Sequence, residues 1–156
     1  MITSIKKACA MVASFGPLGC LPLGIVLCSL LAFPLLGLVG VLGYISPALG
    51  MWFFVLMAMV LLGATLYVMG DPDIVLVADK VVGLALAHVT LPLTFKLMLI
   101  SFLGFHAVRL IVPFLIKRFV GYNMHEHLGM LSVVVASVLS GVIINIALRL
   151  VVWIAH

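Results

Sequence analysis

Imidazole and thioether side chains are the groups of this chain whose types and spacing could do chemistry. Met124, His125, His127 and Met130 lie close together in the sequence, and soft sulfur and imidazole ligands suit copper or zinc. Their spacing is too loose to define a site, and histidines at a membrane surface are usually solvated. We therefore expect no resident metal, with these four residues as the candidate ligands if one binds.

Two further histidines raise the alternative of haem b. A membrane haem of this type needs two facing histidines at the same depth in different helices. His106 lies about 15 Å of helical rise from Lys117. His88 could match that depth only if the chain folds back at Pro92. We expect no cofactor, and keep haem b held by His88 or His106 as the alternative.

The sequence carries no recognisable catalytic constellation. It contains no phosphate-binding loop, no GxSxG and no HExxH. Its acidic residues are few: Asp71, Asp73, Asp79 and Glu126. Its cysteines form no CxxC pair, and we expect them to pack as small apolar side chains: Cys9, Cys20 and Cys28. We expect no enzymatic activity.

The amino-acid composition indicates whether these side chains lie in a protein surrounded by water or by lipid. Of the 156 residues, 67% are hydrophobic and 8% are charged, against roughly 25% charged in soluble domains. The apolar runs are continuous, whereas barrel strands alternate with period two, so helices are the expected spanning elements. No basic cluster exceeds two residues, which argues against nucleic acid as a partner. The fold class is an all-α polytopic helical membrane protein with about three to five transmembrane helices.

We expect one integral-membrane helical domain over residues 1–156. Proline and glycine punctuate residues 18–50, so an N-terminal membrane hairpin or re-entrant element, bent near Pro34, is the best interpretation. The full division is an N-terminal interfacial or anchor segment at 1–17, the hairpin at 18–50, spans at 51–69, 93–116 and 128–155, and an interfacial or broken helix at 74–91.

Charges flanking the spans suggest an orientation. Lys6, Lys7, Lys117 and Arg118 are expected near lipid headgroups on the cytoplasmic side, and the acidic turn Asp71–Asp73 on the other. This requires residues 8–50 to leave a membrane face and return to it.

Small and amide residues mark helix-packing faces. Gly37, Gly40 and Gly43 recur every three residues, and Ser132, Ala136 and Ser140 every four, which lets another helix approach closely. Asn145, one turn before Arg149, is interpreted as a polar contact between helices.

These observations favour a small non-enzymatic subunit of a larger membrane assembly for transport, secretion or conjugation. Its expected partners are membrane lipids and other membrane subunits, in a homo- or hetero-oligomer. The expected location is the bacterial inner (plasma) membrane, with the N-terminus cytoplasmic. Two alternatives remain open: a haem- or quinone-associated anchor subunit of a respiratory oxidoreductase, and a holin-like self-assembling pore.

Overall fold

The computed structural model describes residues 2–15, 24–69, 76–120, 128–129 and 131–154. Regular structure in these ranges is helical, without strands. The helices are α1 Ile2–Ser14, α2 Gly24–Ser29, α3 Ala32–Ile45, α4 Pro47–Val68, α5 Ala78–His88, α6 Phe95–Val120 and α7 Leu131–Ile154.

Four helical stretches are long and apolar enough to cross a membrane: Leu27–Ile45, Pro47–Val68, Phe95–Phe119 and Leu131–Ile154. They contain 19 to 25 residues, and a hydrocarbon core about 30 Å thick takes roughly 20 helical residues. The expected class, an all-α polytopic membrane protein, is confirmed. The count of four lies within the expected range.

The chain divides into two compact units, residues 1–82 and residues 83–156, with the boundary inside α5. In the first unit, α4 packs against both α1 and α3. A Cβ on Gly50 would lie 2.8 Å from the Gly43 Cα and 2.9 Å from the Val39 carbonyl oxygen. Glycine at position 50 therefore allows the backbones of α3 and α4 to touch just beside their connection.

α3 and α4 form a helical hairpin that turns at Ser46. Within the element predicted over residues 18–50, with a bend near Pro34, the helix is interrupted at Leu30 and Leu31, just before α3. Pro34 occupies the first turn of α3, where a missing N–H breaks no helical hydrogen bond. Leu27–Ile45 counts as one candidate span, and residues 16–23 lie outside the described ranges, so the out-and-back path of this element stays a prediction.

In the second unit, α6 packs against α7. The six residues of α5 that belong here, 83–88, are followed by a non-helical stretch, residues 89–94, that leads directly into α6. With 11 residues, α5 is about 16 Å long, too short to cross the membrane. Nearly all of its side chains are buried, so α5 is a short helix covered by the rest of the protein.

Candidate functional site

The end of α5 is the most polar part of the second unit. A helix leaves its last four carbonyl groups without helical donors, and lipid supplies no water to replace them. Five side chains gather around this end and the segment that follows it. We call them the α5-end cluster: His88, Thr90, Ser101, Asn145 and Arg149.

Asn145 of α7 supplies donors to the unpaired carbonyls. Its side-chain Nδ2 lies 3.3 Å from the Ala87 oxygen and 3.0 Å from the Val89 oxygen. An amide nitrogen carries two hydrogens, so it can donate to both acceptors at once. The side chain that sequence analysis assigned to polar helix contact therefore binds the backbone at the end of α5.

His88 is the last residue of α5 and is almost fully buried, with 1% of its surface exposed. Its Nε2 lies 3.1 Å from the Pro92 carbonyl oxygen, and its Nδ1 lies 3.1 Å from the Ser101 hydroxyl. Because a carbonyl can only accept, Nε2 carries the hydrogen and donates it to Pro92. Both ring nitrogens are thus engaged within the protein, so this arrangement does not present His88 as a haem ligand.

Burial controls the protonation of His88. Removal of the ring from water lowers the pKa of His88 below its ordinary value, because desolvation disfavours the imidazolium. The hydrogen bond to the Pro92 carbonyl raises the pKa by a smaller amount. The lowered pKa favours the neutral ring at pH 7. In that form Nδ1 is an acceptor, so the single hydrogen of the Ser101 hydroxyl is donated either to Nδ1 or to the Met98 carbonyl oxygen, which lies 2.9 Å away.

Arg149 and Thr90 form the outer edge of the cluster. The Arg149 guanidinium donates to the Thr90 hydroxyl, and Thr90 adopts a φ of 67°, a left-handed conformation that β-branched residues rarely occupy. An open cavity of about 540 Å³ begins here. It is lined by Thr90, Leu91, Pro92, Arg149, Val152 and Trp153. A cation and an indole side by side are typical of the membrane–water interface, where they can meet an anionic headgroup.

Glycine permits the close approach of α5 and α7. A Cβ on Gly141 would lie 2.2 Å from the Gly83 carbonyl oxygen, closer than any real contact. A Cβ on Gly83 would lie 2.6 Å from the Ser137 carbonyl oxygen and 2.6 Å from the Phe105 ring. The two backbones are therefore in contact, and this contact brings Asn145, one turn further along α7, to the end of α5.

A second polar position lies between α6 and α7. The Arg109 Nε donates to the Ser137 hydroxyl across 3.0 Å. Beside this pair is a groove of about 360 Å³. It is lined by Arg109, Leu110, Pro113, Phe114, Ser132, Val133 and Ala136. We call it the Arg109 groove.

The first unit contains a buried ion pair at the start of α5. The Lys80 ammonium lies 2.9 Å from the Asp79 carboxylate and also donates to the Leu76 carbonyl oxygen at 2.5 Å. Asp79 lies in the first turn of α5, where the helix dipole stabilises a carboxylate. Both charges are thereby balanced within the protein.

The small residues of α7 face the interior of this chain. Ser132, Ala136 and Ser140 are all at least 96% buried. The Ser132 hydroxyl donates to the Gly129 carbonyl oxygen before α7, and the Ser140 hydroxyl donates to the Ala136 carbonyl oxygen within α7, at 2.6 Å each. Their spacing marks a packing face, but one that this chain already covers.

The glycines of α3 differ from one another. The backbone of Gly43 lies against Gly50, whereas no such neighbour is found for Gly37 or Gly40, and a Cβ on any of the three would meet nothing within 4 Å in the described part of the chain. The basic side chains expected near headgroups are exposed at helix positions: Lys6, Lys7, Lys117 and Arg118.

His106 makes edge-on ring contacts with Phe102 and Phe105, with centroids 4.8 and 5.3 Å apart. The candidate metal ligands lie outside the described residues: Met124, His125, His127 and Met130. So does the acidic turn Asp71–Asp73. Within the described ranges, no three His, Cys, Asp or Glu side chains are arranged to hold a metal ion.

Sequence reasoning missed Ser101 and Thr90. Ser101 sits inside an apolar span, 13 residues after His88, and nothing in its neighbourhood in the chain signals a partner. Pro92, which ends the helical pattern of residues 74–91, was the available signal for Thr90.

No known family model, curated protein or solved structure matches this chain.

Proposed function

We propose that this protein is a small non-enzymatic integral membrane subunit of a larger assembly. The observation that carries the proposal is the open strip formed by Gly37 and Gly40 on α3. Glycine inside a helix costs about 1 kcal/mol relative to alanine in soluble hosts, so it usually has a packing reason. Gly50 has that reason inside the chain, against Gly43, and Gly37 and Gly40 do not.

Residues three apart lie on the same face of a helix, so Gly37 and Gly40 form one smooth surface. In lipid, close contact of helix backbones is a main source of association free energy, and small residues allow it. The neighbouring side chains of Leu38 and Val41 are exposed, which leaves room for an incoming helix. The strip therefore suits another membrane helix better than it suits lipid alone.

The α5-end cluster favours a transport, secretion or conjugation assembly among membrane machines. Transport proteins commonly build their functional centres from helices that stop inside the membrane, where polar side chains and freed backbone groups meet. α5 is too short to be a span and ends among polar side chains, and Asn145 and His88 bind the backbone groups around its end. Bacterial inner membranes hold helical proteins of this architecture, and that is the location we propose.

Charge distribution supports an orientation that differs in part from the sequence-based one. α1 has 13 residues, about 20 Å, and does not cross. With four crossings, the basic residues near one face are Lys6, Lys7, Lys96 and Arg149, and those near the other are Lys117 and Arg118. The more basic face is cytoplasmic by the positive-inside rule. The side of Lys6 and Lys7 is then cytoplasmic as expected, and Lys117 and Arg118 are on the opposite side.

The test is the size of the native complex after the strip is filled. Gly37→Leu and Gly40→Leu, made singly and together in the native host, should leave membrane yield unchanged and release the protein from its complex in mild detergent. Gly63→Leu on α4 is the matched control, because a Cβ there also meets nothing within 4 Å and no glycine lies one turn away.

Each outcome decides the proposal. Loss of the complex in the α3 variants, with Gly63→Leu unchanged, supports it. A wild-type protein that runs as a monomer, or a complex insensitive to all three substitutions, overturns it. Two differently tagged copies expressed together distinguish a homo-oligomer from a hetero-oligomer.

A further inference from the structure

Arg109 lies near the middle of a candidate span. Arg109 is about 15 Å of helical rise from Phe119 and about 21 Å from Phe95, the two ends of that span. Intramembrane arginines are costly and normally face a partner group. Nε binds Ser137, and the two terminal nitrogens make no hydrogen bond to any residue within the described ranges.

Pro113 adds an unpaired acceptor at the same place. In an α-helix the carbonyl of residue 109 accepts from the N–H of residue 113, and proline has no N–H to give. The Arg109 groove thus combines unpaired guanidinium donors with a backbone carbonyl that lacks its helical donor. Unsatisfied polar groups of this kind are unfavourable against lipid. The groove is therefore incomplete in the isolated chain.

No aspartate or glutamate lies within the four candidate spans, so these spans of a second copy offer no anion at this depth. The aspartates and glutamate of the sequence are Asp71, Asp73, Asp79 and Glu126, and Asp79 is buried against Lys80. A lipid phosphate sits at the membrane surface, too far from mid-depth for direct contact. The complementary group must come from another protein, at the same depth.

We propose that the Arg109 groove binds a transmembrane helix of a different subunit that carries an aspartate or glutamate near its midpoint. The guanidinium fork pairs with a carboxylate through two parallel hydrogen bonds, which are charge-assisted and therefore strong. Leu110 and Phe114 are largely exposed and flank the entrance, so an apolar helix can pack against them. The inference rests on the proposed function and names the chemistry of one partner.

Synthetic helices test it without the native partner. The full-length protein is reconstituted in phosphatidylcholine vesicles with Leu/Ala-rich transmembrane peptides of about 21 residues. One peptide carries Asp at its centre, one carries Leu there, and one carries Asp near an end. Association is measured by energy transfer between labelled protein and labelled peptide.

The central-Asp peptide should bind about tenfold more tightly than the Leu peptide, and the end-Asp peptide should behave like the Leu peptide. Arg109→Gln should abolish the difference, and Arg109→Lys should retain part of it, since the charge remains and the fork is lost. Lys96→Gln, which removes an exposed cation in the first turn of the same helix, is the control and should change nothing. Thermal unfolding of each variant verifies that the fold is intact.

Equal binding of the Asp and Leu peptides to the wild type, or unchanged selectivity in Arg109→Gln, overturns the inference. Repetition with phosphatidylglycerol in the vesicles examines a lipid occupant. If that lipid displaces the central-Asp peptide from the wild type, and Arg109→Gln retains less bound lipid, the occupant is lipid and the inference is overturned.

The two proposals fail separately. If the native complex forms but the wild type binds the Asp and Leu peptides equally, only the Arg109 inference is overturned. If the wild type prefers the central-Asp peptide but forms no native complex, only the proposed function is overturned.

Discussion

The Asn145 side chain donates to the backbone carbonyl of Val89, 3.0 Å away and one residue beyond the end of α5. The donor and the acceptor lie 56 residues apart in the chain. A helix that stops inside a membrane protein must have its last carbonyls satisfied by protein, and here α7 performs that role for α5. The position of the α5 end therefore depends on one amide in a neighbouring helix.

Replacement of Asn145 should destabilise the second unit. Leucine has a similar volume but donates no hydrogen bond, so Asn145→Leu leaves the Ala87 and Val89 carbonyls without this donor. We expect a loss of about 1–2 kcal/mol in unfolding free energy, measured by denaturation in detergent.

Ile146→Leu is the control for Asn145→Leu, because residue 146 is exposed and lies next to it on α7. It should be nearly neutral. An Asn145→Leu variant as stable as the wild type would show that the Asn145 amide contributes packing but no stabilising hydrogen bond.

Much of the fold could be predicted from sequence because hydropathy reports directly on lipid contact. The spans around Trp52, His106 and Ser140 follow from apolar runs alone. The partners of polar groups could not be predicted, because backbone carbonyls such as that of Val89 leave no mark in the sequence. Asn145 was recognised as a contact residue because it is an amide within an apolar span, but the carbonyls that accept its hydrogen bonds were not predicted.

The packing faces show the same limit. Small residues four apart predict that some helix approaches closely, and they do not say which one. Ser132 and Ser140 prove to be covered by this chain, whereas Gly37 and Gly40 are open. A proline in the first turn of a helix is compatible with that helix, so Pro34 lies inside α3 and the helix is interrupted just before it, at Leu30 and Leu31.

The contact between α5 and α7 should be sensitive to a single methyl group. In Gly141→Ala the new Cβ meets the Gly83 carbonyl oxygen at 2.2 Å, and backbone cannot rotate away as a side chain can. We expect a loss of about 1–3 kcal/mol, the range for overpacked interiors, with a lower thermal unfolding midpoint as the readout.

Gly63→Ala tests whether added methyl groups are harmful in general. A Cβ at position 63 meets nothing within 4 Å, so alanine should be neutral or slightly stabilising through its helix propensity. Equal destabilisation by both substitutions would contradict the close contact of Gly141 with Gly83.

His88 should make stability depend on pH. Burial lowers the pKa of His88 in the folded protein, so the unfolded chain, with a pKa near 6.5, binds the proton more readily. The stabilising contribution is complete above about pH 6.5 and is lost as pH falls from there through the lower folded-state pKa.

The unfolding midpoint of the wild type should therefore drop between pH 7.5 and pH 5.5, and His88→Gln should flatten that drop. Glutamine can still donate to the Pro92 carbonyl and does not titrate. His106→Gln, which changes the other described histidine of this unit, is the comparison. A pH profile unchanged by His88→Gln would rule out His88 as the titrating group.

Larger side chains on the small-residue face of α7 should destabilise the fold of this chain. Ser140 is fully buried and lies outside the Arg109 groove, so Ser140→Ile should lower stability by about 1–3 kcal/mol. The remaining folded protein should keep the complex size of the wild type, measured in mild detergent. Leu139→Ile, at the exposed neighbouring position, should be nearly silent. A smaller complex with unchanged stability would show instead that this face of α7 contacts another subunit.

Topology is the last expectation, and single cysteines can decide it. Four crossings put Ser46 and Phe119 on one membrane face and Ser4 on the other, because Ser46 follows the first span and Phe119 ends the third. Ser4→Cys, Ser46→Cys and Phe119→Cys are made singly in a background in which the three native cysteines are replaced by alanine. An impermeant thiol reagent added to intact cells should label Ser46→Cys and Phe119→Cys, and should reach Ser4→Cys only after the membrane is opened. None of the substitutions alters a basic residue, so the charges that set orientation remain. Labelling of all three from outside would mean that the chain before Leu27 makes an additional crossing. Labelling of Ser4→Cys alone would invert the orientation and make Lys117 and Arg118 cytoplasmic.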